Sequence, residues 1–127
     1  MSAHRKEEAG NSLAFRTPVG GQSLQAGESM NLTEDFPNGV NVRPYQAIRI
    51  AGGSRTSSEG NVTLSIIMTI KRERFVTLDT IEVSPGQAFN NVYQVPGLGI
   101  EILAKADMHP GPATIDVAVF GYNPERK

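Results

Sequence analysis

The stretch NVTLSIIMTIKRERFVTLDTIEVSPG, Asn61 to Gly86, decides the fold. Val62, Leu64, Ile66, Met68 and Ile70 recur at every second position, with Thr63, Ser65 and Thr69 between them. Successive side chains of a strand point to opposite faces, so this period of two places the apolar set on one side of a long β-strand. Lys71 to Arg74 then form a charged turn, and Phe75 to Val83 runs back rich in Val, Thr and Ile, which makes the pair a hairpin. Arg72 and Arg74 read as solvated turn charges, because one short basic cluster is no phosphate cradle.

Working outward, three further strands follow: Ala88 to Val95, Leu98 to Ala106 and Ala113 to Tyr122. In the last, Ile115, Val117 and Val119 face a core while Asp116 faces out. Upstream, QSLQAGESMNLTEDF offers two short strands about Gly27, and VNVRPYQAIRIAG offers another through Tyr45 to Ala51. The segment GGSRTSSEGN reads as the loop before the hairpin. Leu24 to Met30 and Val83 to Phe89 share one pattern of apolar residue, turn with Gly, apolar residue, a single echo far short of a repeat array. About eight or nine short strands with turns roughly every ten residues indicate an all-β fold, an antiparallel two-sheet β-sandwich of jelly-roll type.

The chain has 127 residues, enough for one domain and one core. Gly 13 and Pro 8 favour frequent turns. A formal net charge of −1 supplies no basic face for nucleic acid or an anionic membrane, and neither is expected as a partner. Cys 0 removes disulfides, thiolate nucleophiles and cysteine metal sites. The opening MSAHRKEEAG lacks the apolar core of a secretory signal, and no run is long enough to span a bilayer, so synthesis in the cytoplasm and a place on a spore or virion surface are the expectations. Met1 to Asn11 is charged and aperiodic and reads as a mobile tail. The expected organisation is an N-terminal arm over residues 1–21 and one sandwich domain over 22–127.

Catalysis is not expected. His4 falls in the tail and His109 in the loop ADMHPGPA, neither with an evident rigid partner for a triad or metal centre. Asp79, Glu82, Glu101, Asp107 and Asp116 are spread singly, as solvent-face carboxylates are. Glu34 and Asp35 beside the DFPNG turn supply too few oxygens for calcium. Gly52-Gly53 is too short for a phosphate loop and opens no helix. No cofactor is implied.

Two function classes remain. The first is a structural subunit, a homo-oligomer or the decoration of a larger particle, in which Leu13, Ala14 and Phe15 form an inserted arm and Gly20 and Gly21 its hinge. Such an arm gains main-chain hydrogen bonds on a neighbour's open sheet edge; the alternative is that it folds back on its own sheet. Phe15→Asp distinguishes them, weakening assembly in the first case and unfolding the monomer in the second. The second class is a carbohydrate-binding module, for which Tyr45, Tyr93 and Tyr122 are the ligand-facing candidates, though without Trp the chain has few aromatic platforms.

The segment LDTIEVSPGQAFNNVYQVPGLGIEILAKADMHPGPATIDVAVFGY, Leu78 to Tyr122, resembles the closing strands of the jelly-roll subunits that polymerise into bacterial endospore appendages. The resemblance is a pattern of strands and Gly turns over about forty residues. It implies self-assembly through an N-terminal connector, whose place Ser12 to Gly21 occupy. Those subunits use connector cysteines for covalent cross-links, and this chain has none. Phage decoration and tail proteins share the same general sandwich.

Overall fold

The computed structural model describes residues 12–70, 73–94 and 99–123. Ten strands are present among them: β1 (Ser12–Arg16), β2 (Gln22–Leu24), β3 (Ser29–Asn31), β4 (Val40–Asn41), β5 (Ala47–Ser54), β6 (Val62–Ile70), β7 (Glu73–Val83), β8 (Ala88–Gln94), β9 (Gly99–Ala106) and β10 (Ala113–Tyr122). The hairpin read from Asn61 to Gly86 is β6 and β7, paired from Val62↔Val83 to Ile70↔Glu73. Alternation fixes its buried face: Val62, Leu64 and Ile66 are fully buried while Thr63 and Ser65 are not.

The strands form two antiparallel sheets. Sheet A runs β1-β10-β5-β8, with β2 also on β10; sheet B runs β3-β9-β6-β7, with β4 also on β9. β1 and β2 therefore share one edge of β10, and β3 and β4 share one edge of β9. Ten strands thus fill eight positions, because each sheet starts with an edge strand broken in two. The chain passes A, B, A, B, B, A, B, A through those positions, which is the jelly-roll path. Inward side chains of both sheets build one core from Leu24, Val42, Ile48, Ile50, Val62, Leu64, Ile66, Ile100, Ile102, Ile115, Val117 and Val119. Among the described residues no buried side-chain nitrogen or oxygen lacks a hydrogen-bond partner.

Two elements differ from the sequence reading. β5 begins at Ala47 and continues through Gly52, Gly53 and Ser54, which were expected in a loop. A Cβ on Gly52 would collide with the Asp116 carbonyl oxygen of β10, so these glycines serve close strand approach rather than a loop. Arg74, expected as a free turn charge, lies in β7 and places Nε 2.7 Å from Glu101 Oε1, spanning β6 to reach β9. Lys71 and Arg72 lie outside the described residues.

Candidate assembly edges and end cleft

Of the expected arm, residues 1–11 lie outside the described residues, and Ser12–Arg16 forms β1 on the edge of sheet A. This is the fold-back arrangement. The register steps from Leu13↔Phe120 to Phe15↔Val119, leaving Ala14 as the extra residue of a β-bulge. Leu13 consequently faces outward beside Phe120 and is 54% exposed. Phe15 turns inward, packs against the core and meets Phe36 edge-to-face, with ring centroids 5.9 Å apart. The strand then breaks at Pro18 to Gly21, a turn closed by Gly21 N donating to the Pro18 carbonyl at 2.8 Å. Gly20, at φ 95°, supplies the positive φ required at the third position of a type II turn.

A buried threonine fills the gap between the half-strands in each sheet. Beside β10, Thr17 Oγ1 accepts from Val117 N at 3.1 Å and Thr17 N donates to Val117 O at 2.9 Å. Beside β9, Thr33 Oγ1 accepts from Ile102 N at 3.3 Å and donates to Asn31 Oδ1 at 2.7 Å. A hydroxyl here stands in for ladder groups lost where the chain turns away.

The four sheet edges are not equivalent. The β1/β2 and β3/β4 edges are broken by loops containing Pro18 and Pro37. β7 carries two bulges, one beyond Ile66/Ile67 and one beyond Met68/Thr69, together with Glu73, Arg74, Asp79 and Glu82. The bulges and charges of β7 are usual devices that keep an edge from pairing with another chain. β8 has none of them: Ala-Phe-Asn-Asn-Val-Tyr-Gln contains no charge and no proline, and it pairs with β5 without a bulge from Ala47↔Gln94 to Gly53↔Ala88. On the outer face of sheet A, Leu13, Phe120, Arg49 and Val92 make one row across all four strands. The row ends in exposed apolar residues at both edges, Leu13 at 54% and Val92 at 55%. At the other end of this face Arg55 grips Asp116 with Nε–Oδ2 2.7 Å and Nη2–Oδ1 3.0 Å, which holds the Asp116 carboxyl below its ordinary range.

The three tyrosines have separate fates. Tyr93, on β8, faces inward; its hydroxyl donates to Asp79 Oδ2 of β7 at 2.7 Å and accepts from Asn91 Nδ2 at 3.3 Å. It thus joins the last strands of the two sheets. Burial first, and the hydrogen bond to Asp79 second, push its phenol up to about 12. Tyr122 ends β10, 37% exposed. Tyr45 packs over Gly121, where no side chain would fit, and lines a cleft of about 630 Å³ at one end of the sandwich. Phe36, Asn38, Asn41, Arg43 and Thr69 share that cleft, and Ala14 of β1 forms part of its wall. The sequence reading missed Phe36, because DFPNG carries a turn signal and nothing that marks its aromatic as surface-held. His109 is exposed in the loop between β9 and β10, and among the described residues no three His, Asp or Glu side chains are grouped to hold a metal ion. No described helix is long and apolar enough to cross a membrane.

No family model matches the chain, and no curated protein matches it. Solved structures do. A protein of the Bacillus endospore appendages, a family of disulfide-linked pili, aligns with TM-score 0.43 and 12% identity, covering 90% of this chain and 89% of that one. This is the family that Leu78 to Tyr122 resembles. A glycoside hydrolase family 43 arabinoxylan arabinofuranohydrolase from Bacillus subtilis aligns with TM-score 0.39 and 10% identity, over 91% of this chain and 27% of that one. The infectious bursal disease virus Gx strain gives TM-score 0.29 and 10% identity, over 88% of this chain and 31% of that one. At these values none carries a role over to this chain.

Proposed function

We propose that the chain is a non-catalytic structural subunit that assembles with copies of itself, or decorates a larger particle, by strand pairing along sheet A. The N-terminal arm strand β1 is the donor edge and β8 the receiver. The observation that carries this reading is the state of β8, the one regular, uncharged edge among the four described. In the order β1-β10-β5-β8 each strand is antiparallel to the next, so β1 and β8 run in opposite directions. When the β8 edge of one copy meets the β1 edge of the next, the two strands are antiparallel and the sheet continues across the contact. Aligned rows then set Val92 of one copy beside Leu13 of the other, removing both exposed side chains from water.

This pairing uses the free side of β1, so the arm acts without leaving its own β10. The contact joins two different surfaces, which builds a ring if the rotation closes and a filament if it does not. The test is the molar mass of the full-length chain by size-exclusion chromatography with light scattering over a range of concentrations. A defined oligomer or a growing polymer, lost in Val92→Lys, is expected. A strict monomer at every concentration overturns the reading.

A further inference from the structure

We infer that the cleft at the end of the sandwich is a binding site for a neutral saccharide, a site that shares no residue with the β8 edge. Its rim is preformed. Two backbone-closed turns shape it: Gly39 N donates to Phe36 O at 2.8 Å, and Tyr45 N donates to Val42 O at 3.1 Å. The first turn is tied to the sheet by Thr69 Oγ1 donating to Asn38 O at 2.7 Å, and the second by Asn41 Oδ1 accepting from Arg43 N at 3.0 Å. Pro37 and Pro44 stiffen both. A rim fixed in this way loses little entropy when a ligand is seated.

Within that rim stand two aromatics of different exposure. Phe36 is 37% exposed although its ring is pinned edge-to-face on Phe15, and Tyr45 is half-buried against Gly121. The part of the Phe36 ring left in water offers an apolar face that a ligand can cover. The polar groups around the rings are the amides of Asn38 and Asn41, the guanidinium of Arg43 and the carboxylate of Asp35. A cleft of this size that combines aromatic surface with a few directional polar groups matches small-ligand sites in general. One anionic and one cationic group with two amides disfavour a simple anion or cation and suit alternating hydroxyls, while aromatic rings suit the C–H face of a pyranose. Because Ala14 walls the cleft and Phe15 supports Phe36, a bound sugar also holds β1 on its own sheet.

The experiment is isothermal titration calorimetry of the full-length chain with maltotriose, cellotriose and N,N′,N″-triacetylchitotriose, and with inorganic phosphate as the anionic comparison. Saturable heat with at least one trisaccharide is expected, weakened about tenfold in Phe36→Ala and several-fold in Arg43→Ala. Circular dichroism melts accompany both variants; should Phe36→Ala fail to fold, the exposed Arg43→Ala decides alone. Val92→Lys, on the far edge of sheet A, retains wild-type sugar affinity even where it abolishes assembly, so the two readings fail separately. No heat with any of the three sugars, heat with phosphate alone, or binding untouched by Arg43→Ala overturns the site.

Discussion

Sheets A and B begin alike and end differently. Each opens with an edge strand broken in two across a buried threonine, Thr17 beside Val117 in sheet A and Thr33 beside Ile102 in sheet B. At the far edge, sheet B closes with β7, bulged twice and carrying four charged residues, whereas sheet A closes with β8, seven uncharged residues in unbroken register with β5. Two strands of comparable exposure have thus been treated oppositely. β7 carries devices against pairing, and β8 carries none of them, which is the contrast the proposed contact rests on.

The largest effect tests that contrast directly. Val92→Lys places a charge on the outer face of the open edge and is expected to remove concentration-dependent mass growth altogether in light scattering. Thr80→Lys, an exposed change on β7, leaves it intact. Equal losses from the two would show that the edges do not differ in use. Next in size is Phe15→Asp. Phe15 is half-buried and packs inward on Phe36 and the core, so replacing its ring by a carboxylate costs about 2–3 kcal/mol of monomer stability in urea unfolding. Unchanged stability with lost assembly would instead put Phe15 at the intermolecular contact.

The threonine pair sharpens the likeness of the two sheet openings. Thr17→Val and Thr33→Val keep the shape and remove the hydroxyl, leaving Val117 N or Ile102 N short of a partner at a cost of about 1–3 kcal/mol each. Thr33 is expected to lose more. It is fully buried and serves Asn31 as well as Ile102, whereas Thr17 is 3% exposed and its hydroxyl serves Val117 alone. Thermal melts of the two variants side by side measure the difference, and equal shifts would mean that the Asn31 bond contributes nothing.

How much of this was legible depended on how local the signal was. β9 and β10 could be read because inward residues alternate, as from Ala113 to Gly121, and β6 because Val62, Leu64 and Ile66 alternate with Thr63 and Ser65 before the bulges opposite it begin. The broken edges could not. Whether Leu13 to Phe15 folds back is decided by which residues of β10 they meet, and a bulge at Ala14 shifts every facing by one, which no alternation in five residues reveals. Gly52 looked like a loop because its reason lies 64 residues away, at the Asp116 carbonyl of β10, and Gly53 because its reason lies 34 residues away, at the Gln87 carbonyl before β8. The open state of β8 was present in the sequence as the absence of charge between Ala88 and Gln94, but it acquires meaning only once that strand is placed at an edge. Of the candidate tyrosines, Tyr45 reached a cleft; Phe36 joined it through contacts with Phe15 that lie 21 positions apart in the chain.

The smallest effect concerns the place where the two unlike edges meet. Tyr93 of β8 donates to Asp79 of β7, so one hydrogen bond links the open edge to the protected one. Tyr93→Phe removes it at a cost of about 1 kcal/mol near neutral pH. The pH dependence reports the burial of the phenol and its bond to Asp79 together. The folded phenol titrates at about 12 against an ordinary value of 10.0, so between those values the folded chain holds a proton that the unfolded chain releases. Stability from this group is therefore complete below about pH 10 and is lost as the pH rises through about 12. Urea midpoints of the wild type should fall across that window more steeply than those of Tyr93→Phe, which lacks the titrating group. Parallel curves would show that the phenol is neither buried nor held by Asp79 in the folded chain, and that β7 and β8 are closed by packing of Phe89 and Leu78 against the core.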